Sequence, residues 1–510
     1  MNKRKPGTEG FNESDRQSRR TGPEITEANQ NEMYFAKKKH KIISASAVLL
    51  SALILSQALG AAVSADSPAE APAPGISYAP AKKTTFPDVS SGDWFYDDVM
   101  TLVSDGIING YPDGSFRPEL EITNAEFIKM LVLAVGGTEG ARTLFPESWA
   151  SGFITTAHER GIITDGDLSG GFDPAKPITR SAMTKMIVLA LGIEPARIDD
   201  PFTDISDMYA STAYNEYLLR GYPDGKGGRV YNGAGNASRS EAASMTVRLI
   251  EYAKDPYAFR RDAVLENAST NVLGSEFELI DLFYILNREF MSEFTFRTTI
   301  PLSVWSDYYV HSNTINLEYF YSTGISVKYS KALDAYTITL QYDRDVNELK
   351  RLHKKAEEKA DKVISSIITP TMTGLEKVKA IHDYIILNCE YDYANYLADT
   401  LPYETRLAYG VLIDKKAVCQ GYSAAFNLLA ERAGLRSVAI GGYAPNSNVR
   451  HSWNMVLVNG QIYFVDTTHD DPVPDKKGKI SYKYFCLTES EMASLGYVWE
   501  KSHSNIKYFY

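Results

Sequence analysis

The sequence predicts a multidomain protein of three differently built parts: an α-helical region of three repeats, a small α+β middle region and a C-terminal α+β domain. Its 510 residues are too many for one hydrophobic core, because single domains usually hold roughly 100–200 residues. A motif recurs three times in the first half of the chain, which is the signature of a repeat architecture. In the last quarter, a helix start and a β-hairpin bring together the residue types used in nucleophilic catalysis.

Composition excludes several classes of protein. An apolar fraction of 44% and a charged fraction of 23% are typical of folded globular chains. The net charge of −11 gives no support to a nucleic-acid partner, which normally requires a basic face. Cys389, Cys419 and Cys486 are too few for a disulfide scaffold or a Cys-rich zinc site, although pairing of Cys389 with Cys486 stays open.

Residues 1–65 have the layout of a secretory signal peptide with an N-terminal extension. A basic segment at 37–41 precedes an apolar run at 42–63, and the small-x-small pattern that follows predicts cleavage after Ala65. The polar stretch before Met33 leaves open where translation starts. The competing interpretation is an uncleaved membrane anchor, because a run of about 22 residues is long enough to span a bilayer. The cleavage pattern and the Ser, Gln and Gly residues within the run favour removal of the signal, so we predict export with only transient membrane contact.

A Pro/Ala-rich stretch at 66–83 predicts an extended linker. It is followed at 84–253 by an internal repeat of three units, at about 84–137, 143–193 and 200–253. Each unit opens with a Phe-Pro-Asp-like motif, at Phe86, Phe145 and Phe202. This regular recurrence predicts one structural unit repeated three times.

A second motif recurs inside each unit, directly before an apolar helix. It begins at Thr123, Thr179 and Ser238. Thr123 with Glu126, and Ser238 with Glu241, have the spacing of a capping box, in which two side chains bond each other's backbone N–H groups. The sequence therefore predicts well-defined helix starts at these positions.

The three units resemble S-layer homology domains. The resemblance implies a helical, trimer-like head that holds a secreted protein on a Gram-positive cell wall or S-layer. Arg180 and Arg239 match the arginine that in this family helps bind a pyruvylated secondary cell wall polysaccharide, and a guanidinium suits a carboxylate ligand. The first unit departs from the pattern with Asn124. The alternative is that both arginines only form surface ion pairs.

The stretch 254–365 has no chemical motif and is predicted to be a small α+β connecting region. Its residues 277–286 read as a helix, and 335–342 alternate apolar and polar side chains as a half-buried strand does. A charged helix is predicted at 347–366. The C-terminal domain is then predicted to occupy 366–510.

Cys419 is placed at or just before the start of a helix. Tyr422, Phe426 and Leu429 fall on one helical face, and Gly434 stands where a helix-ending glycine belongs. Unpaired N–H groups at a helix start favour a thiolate and lower the thiol pKa. The alternative is a small buried apolar residue, and position alone leaves both open.

A β-hairpin follows, with strands at 451–458 and 461–466 around the Asn-Gly pair that signals a two-residue type I′ turn. In that register His451 and Asp466 share the open end of one face, close enough for the carboxylate to accept a ring N–H. The rest of the face is apolar and carries Trp453, Met455, Leu457, Ile462 and Phe464. A solvated end of the hairpin is the alternative to a reactive pair.

Cys419, His451 and Asp466, in this order and with this hairpin, resemble the transglutaminase-like superfamily of papain-like fold over roughly 366–485. The resemblance implies that Cys419 is the nucleophile, His451 the base and then the acid, and Asp466 the residue that orients His451. Such a triad attacks a protein or peptide amide to form a thioester, which an amine or water resolves. His469 stands where this family often has Trp, which leaves the shape of the cleft open.

These observations together predict a wall-anchored extracellular thiol acyltransferase or amidohydrolase that needs no cofactor and no metal. The alternative is a surface protein that uses the same domain to bind peptide or glycan without catalysis. Asp470 and Asp471 alone are weak evidence for calcium, and His382, in a helix predicted at 375–388, is expected to be packed. The backbone N–H of Cys419 is a candidate oxyanion donor. The acyl donor, the acceptor and a second oxyanion donor stay open.

Overall fold

The computed structural model describes residues 85–193, 195, 201–224, 228–474, 476 and 478–501. The signal peptide predicted at 1–65 and the linker predicted at 66–83 lie outside the described residues. Within the ranges that are described, no helix is both long enough and apolar enough to cross a bilayer.

The N-terminal part is built from helices that start at well-capped positions. In chain order the helices are α1 (Tyr96–Ser104), α2 (Asn124–Ala134), α3 (Ser151–Glu159), α4 (Asp165–Ser169), α5 (Arg180–Ala190), α6 (Met208–Asn215) and α7 (Arg239–Lys254). A ribbon of β1 (Tyr222–Pro223) and β2 (Arg229–Val230) precedes α7. Both predicted capping boxes are confirmed, at the starts of α2 and α7. The Thr179 side chain caps α5 by accepting from the Ala182 N–H.

The starts of α2, α5 and α7 meet in a closed ring. Short antiparallel bridges join them in pairs: Glu121 with Ser238, Thr123 with Pro177, and Thr179 with Asn236. Ile122, Ile178 and Ala237 alternate with these residues and are fully buried in one core that all three units share. Each unit therefore completes its burial only against the other two.

The connecting region packs three helices against a four-stranded sheet. The helices are α8 (Pro256–Thr270), α9 (Glu276–Arg288) and α10 (Leu302–Ile315), and the strands are β3 (Val272–Leu273), β4 (Glu293–Thr298), β5 (Gly324–Ser330) and β6 (Ala335–Gln341). The order in the sheet is β3-β4-β6-β5. Phe283, Phe296 and Trp305 fill the space between the layers. The predicted helix at 277–286 and strand at 335–342 are confirmed.

The charged helix predicted at 347–366 ends close to the boundary predicted at 365/366. The charged helix is present as α11 (Val346–Ile367), so it runs across the boundary predicted at 365/366. Ala356, Ala360 and Val363 of α11 lie in the same core as the helix that begins at Cys419. The apolar face of α11 is therefore buried in the C-terminal part, to which this helix belongs.

The C-terminal part places a four-stranded antiparallel sheet against helices. Its helices are α12 (Gly374–Asn388), α13 (Tyr393–Ala398), α14 (Cys419–Arg432), α15 (Thr467–Asp470) and α16 (Glu489–Ser494). Its strands are β7 (Glu390–Tyr391), β8 (Lys416–Ala417), β9 (Arg436–Tyr443), β10 (Arg450–Val458), β11 (Gln461–Val465) and β12 (Val498–Trp499). The order in the main sheet is β11-β10-β9-β12, and β7 pairs with β8 in parallel.

The predicted hairpin register is confirmed, since Val458 pairs with Gln461 and Asn454 pairs with Val465. Both faces of β10 are buried, however, and not only the apolar face identified from the sequence. Trp453 and its apolar neighbours pack against α16 and β12. The other face lies on α14, where Asn454 Nδ2 donates to the Ser423 carbonyl at 3.0 Å. Polar side chains are accommodated on this second face because α14 supplies their hydrogen-bond partners.

Candidate active site

Cys419 is the first residue of α14, as the sequence predicts. Two backbone hydrogen bonds fix the chain just before it: the Val418 N–H donates to the Thr405 carbonyl at 3.0 Å, and the Asp392 N–H donates to the Ala417 carbonyl at 2.9 Å. Gly421 allows this close approach, because a Cβ there would lie 2.4 Å from the Thr405 oxygen. The half-buried thiol is thus held at a helix N-terminus, where N–H groups without helical acceptors favour a negative charge.

His451 and Asp466 meet at the open end of the hairpin. His451 Nε2 and Asp466 Oδ2 are 2.8 Å apart, and the Asp466 side chain is completely buried. Burial alone would lower the pKa of His451. The charge of Asp466 and this hydrogen bond outweigh burial and raise the pKa of His451 to about 10. Burial alone would raise the pKa of the Asp466 carboxyl. The charge of His451 and its hydrogen bond outweigh burial and lower this pKa to about 2. The pair is therefore an imidazolium–carboxylate pair at neutral pH.

The thiol of Cys419 interacts with the same imidazole. Burial by itself raises the pKa of Cys419, but a hydrogen bond with His451, the charge of His451 and hydrogen bonds from Ser452 outweigh it. The net effect is a thiol pKa below its ordinary value. Since Nε2 of His451 is occupied by Asp466, the other ring nitrogen is left for the thiol. The structure thus brings the three predicted residues together in the order thiol, imidazole, carboxylate.

Two further residues, Tyr497 and His469, bind Asp466 through contacts that the sequence does not reveal. The Tyr497 hydroxyl donates to Asp466 Oδ2 at 2.6 Å, and the backbone N–H of His469 donates to Oδ1 at 3.0 Å. The hydroxyl has a single proton, so His469 Nδ1 must donate to the Tyr497 oxygen, at 2.7 Å. The His469 ring stacks on His451 with centroids 4.4 Å apart. His469 therefore covers one face of the imidazole at the position where the resemblance leads one to expect Trp.

A cleft of about 1010 Å³ opens beside Cys419. Part of its lining comes from the connecting region, which contributes Tyr309, Val310, Asn313, Thr314, Leu317 and Phe320. The apolar side chains that remain open to solvent in this lining include Val310, Tyr393 and Val449, of which Val310 is 63% exposed. The cleft is large enough for several residues of an extended peptide, so its shape suits a polymeric substrate.

The other titratable candidates have structural surroundings. Burial raises the pKa of both Cys389 and Cys486 to about 12, and all three cysteines are unpaired. His382 is fully buried in α12, as predicted, with Nε2 3.2 Å from Asp470 Oδ2. Asp471 is buried as well and accepts a hydrogen bond from the Tyr422 hydroxyl. The two adjacent carboxylates thus bind different partners.

Among the described residues, one set of side chains has a spacing that a metal ion could use. Ligand atoms of His451, Asp466 and His469 lie within 4.8 Å of one another. Hydrogen bonds within the set and to Tyr497 already engage these atoms. The geometry is that of a proton-holding network, and we assign no metal to it.

In the N-terminal part, both candidate arginines have acidic partners in a neighbouring unit. Arg180 Nη2 lies 2.6 Å from Glu241 Oε1. Arg239 is 8% exposed; it lies 3.3 Å from Glu126 and donates to the Phe116 carbonyl at 3.0 Å. Asn124, at the equivalent position of the first unit, instead donates to the Asp173 carbonyl at 2.9 Å. Both arginines are thus ion-paired within the protein, and their contact with a wall polymer stays a prediction.

Comparison with known families matches two parts of the chain. The S-layer homology domain matches residues 85–128 and 145–184, and the transglutaminase-like superfamily matches residues 361–467. The third unit lies outside the matched segments, so its assignment as a third repeat stays a prediction.

Curated relatives include the S-layer protein EA1 of Bacillus anthracis, which is 30% identical over 169 residues. An uncharacterized cell wall amidase of the same organism is 30% identical over 155 residues. The matches cover 31% and 29% of this chain, and they span only 19% and 28% of those relatives.

Among solved structures, a TGase crystal structure is similar at 21% identity, over 34% of this chain and 50% of that one, with a TM-score of 0.21. The family matches and the architecture agree with each other along the chain. The protein therefore carries an N-terminal S-layer homology region and a C-terminal transglutaminase-like domain.

Proposed function

We propose that this protein is a cell-wall-anchored extracellular enzyme that transfers or hydrolyses the acyl groups of protein or peptide amides through Cys419, His451 and Asp466. The observation that supports the proposal most strongly is the chain of contacts from a thiol of lowered pKa, through an imidazole, to a buried carboxylate. A purely structural cysteine has no need of this arrangement, because burial alone would keep its thiol protonated.

The reaction would proceed in two balanced steps. The Cys419 thiolate attacks the amide carbonyl, a C–S bond forms and the C–N bond breaks, while His451 gives its proton to the departing nitrogen. In the second step His451 takes a proton from water or from an amine, which attacks the thioester and releases the thiolate. Asp466 keeps the imidazole oriented and stabilises its charged form. The backbone N–H of Cys419, at the helix start, would stabilise the oxyanion.

Activity is tested with the full chain by two assays on N,N-dimethylcasein: incorporation of monodansylcadaverine for transfer, and release of ammonia or of new amino termini for hydrolysis. We expect one or both with the wild type and neither with Cys419→Ala. Cys389→Ala is the matched control, because that thiol is buried and its pKa is raised to about 12. Equal activity of wild type and Cys419→Ala would refute the proposal.

The binding-only alternative differs in its thiol. A protein that only binds peptide or glycan would show an ordinary, slowly alkylated Cys419, whereas the enzyme would show rapid iodoacetamide alkylation below the usual thiol pKa, weakened by His451→Ala. An inert thiol together with peptide binding would favour the alternative.

We further propose that the S-layer homology region attaches the protein to the wall through a pyruvylated polysaccharide. The S-layer and cell-wall relatives support a location at the cell surface. Arg180 and Arg239 would contact the polymer by exchanging their present carboxylate partners for acidic groups of the ligand.

Sedimentation with purified cell walls tests this anchoring proposal. We expect Arg180→Gln to reduce binding, and wall fragments stripped of their polysaccharide to retain no protein. Arg351→Gln, on the exposed side of α11, is the charge-matched control. Retention that is unaffected by removal of the polysaccharide would contradict the proposal.

A further inference from the structure

The cleft beside Cys419 contains two positive charges that no other side chain neutralises. Arg406 ends a short 3₁₀ turn at Tyr403–Arg406, and Arg450 is the first residue of β10; both line the cleft together with Cys419. Across the described ranges, the arginines whose side chains make neither a hydrogen bond nor an ion pair within the protein are Arg351, Arg406 and Arg450. Two of these three lie in the cleft, and their guanidinium groups remain charged at any working pH.

The opposite charge is scarce in the same lining. Asp471 is the acidic residue among the described lining residues, but it is 4% exposed and accepts a hydrogen bond from the Tyr422 hydroxyl. The charge of His451 is offset by the buried Asp466 with which it is paired, and an ionised Cys419 then contributes one negative charge against the two guanidinium groups. The solvent-facing charge of the cleft is therefore positive in a chain whose net charge is −11. Such a local reversal attracts an anionic partner.

Both arginines are adjacent in sequence to residues that build the site. Arg406 follows Thr405, whose carbonyl holds the Val418 N–H next to the nucleophile. Arg450 precedes His451 on β10. Because both guanidinium groups line the same cleft as Cys419, an anionic group bound by either one would lie in the cleft that receives the reacting amide, where it can act as a specificity contact.

We propose that the cleft selects acidic acyl donors: peptides that carry a free carboxylate beside the amide that Cys419 attacks, with Arg406 and Arg450 as the residues that recognise it. This inference rests on the proposed function for the identity of the reacting group. The exposed Val310, Tyr393 and Val449 contact the apolar parts of the same peptide. A guanidinium binds a planar carboxylate through two parallel hydrogen bonds and therefore distinguishes it from an amide of the same shape.

The test uses the full chain with Cys419→Ala and two dansyl-labelled pentapeptides. Both have a central glutamine, flanked by glutamates in one and by glutamines in the other. Fluorescence anisotropy should show about tenfold tighter binding of the glutamate peptide at low salt. That preference should shrink as salt is added, because exposed charges are screened. The salt series needs no arginine variant and so does not depend on how a variant folds.

Arginine variants locate the effect. Arg406→Gln and Arg450→Gln should each weaken binding of the glutamate peptide about threefold to fivefold and leave the glutamine peptide unchanged. Arg406→Lys should keep part of the preference, because it keeps the charge but loses the fork. Arg351→Gln removes the same charge from the outer surface and should change neither affinity.

Equal affinity for both peptides, no binding of either, or an equal loss in Arg351→Gln would overturn the inference. Enzymatic turnover is measured separately, with the wild-type protein. Turnover without any preference for the glutamate peptide overturns this inference alone. An inert Cys419 in a protein that still prefers the glutamate peptide overturns the enzymatic proposal alone.

Discussion

Replacing Asp466 by Asn tests how the site makes its nucleophile. Asn has the shape of Asp and its side-chain oxygen can still accept from His451, so the substitution removes the charge and keeps this contact. Its amide nitrogen takes the place of Oδ1, so the hydrogen bond from the His469 backbone N–H is lost as well. The pKa of His451 is about 10 in the fold, against 6.5 for an ordinary histidine. At roughly 1.4 kcal/mol for each pKa unit, the site stabilises the imidazolium by about 5 kcal/mol. Asp466 is the largest favourable contribution to that stabilisation.

Losing the charge of Asp466 should therefore cost the imidazolium roughly one to two pKa units, which is on the order of a tenfold to hundredfold change in the thiolate–imidazolium population. The thiol pKa is lowered in the wild type, so the thiolate persists as the pH falls below the ordinary thiol range. In Asp466→Asn the inflection in alkylation should move to higher pH. At pH 6 the rate constant for iodoacetamide alkylation of Cys419 should fall by roughly one to two orders of magnitude.

The assay follows alkylation of each cysteine by peptide mass spectrometry between pH 5 and 9. Cys389 and Cys486 are internal controls, since burial raises both thiol pKa values to about 12 and both should remain largely unmodified. A circular dichroism melting curve checks that the variant is folded. An unchanged inflection in folded Asp466→Asn would refute the reasoning that the carboxylate charge activates the thiol.

Three further predictions concern stability. Gly421→Ala should destabilise the protein by about 1–3 kcal/mol in urea unfolding, because the added Cβ would lie 2.4 Å from the Thr405 oxygen. Gly274 has open space around it, so Gly274→Ala should change the free energy of unfolding by no more than about 0.5 kcal/mol. Equal effects of the two substitutions would contradict the packing argument. Burial lowers the pKa of His382, but hydrogen bonds to Asp383 and Asp470 more than offset this and leave the pKa raised. The stability that His382 contributes is therefore fully present below its unfolded pKa, near 6.5, and is lost as the pH rises through the folded pKa. His382→Gln should flatten the pH dependence of the free energy of unfolding above about pH 6.5. An unaltered slope would show that His382 does not cause this dependence. Arg239→Met should lower the free energy of unfolding by about 3 kcal/mol, because Glu126 and two backbone carbonyls lose their hydrogen-bond donor. Arg180→Met removes the partner of Glu241 alone and should cost about 1 kcal/mol when both variants are compared in thermal melts. The reverse order of the two costs would contradict this reasoning.

The parts of the site that local rules determine could be predicted from the sequence. Asn459-Gly460 sets a two-residue turn, and the turn sets which residues pair, so the contact between His451 and Asp466 follows from counting along two strands. Cys419 at a helix start follows in the same way from the apolar face of α14 and the glycine after it. The middle helix and strand were correctly predicted because their periodicity extends over many residues.

Contacts between distant segments could not be predicted in this way. Tyr497 reaches Asp466 only because β12 joins the sheet beside β9, and no local pattern encodes that pairing. The second buried face of β10 was missed for a related reason. Its polar residues, such as Asn454, read as solvent-facing until α14 is seen to supply their partners. The packing of α11 against the C-terminal part was not visible in the sequence, because the many charged residues of this helix hide a narrow apolar stripe.

The same distinction applies to the arginines of the N-terminal part. Their match to a family motif is visible in the sequence, whereas the partners Glu241 and Glu126 belong to other units of the repeat. The junction between the first and second units lacks this ion pair, because both of its residues differ: Asn124 replaces the arginine and Ala182 replaces the glutamate. A lone arginine or a lone glutamate at that junction would have remained unpaired.

The closed ring of helix starts has a consequence for how this region folds. In a linear repeat array each unit touches only its neighbours, so folding can begin anywhere and the ends can fray. Here the first unit contacts the third, with Glu121 joined to Ser238 across more than a hundred residues of chain. Forming that contact requires closure of a long loop, which slows folding and makes it all-or-none. Truncating the last unit would therefore melt the first, and the region should unfold in a single cooperative transition with no stable one- or two-unit fragment.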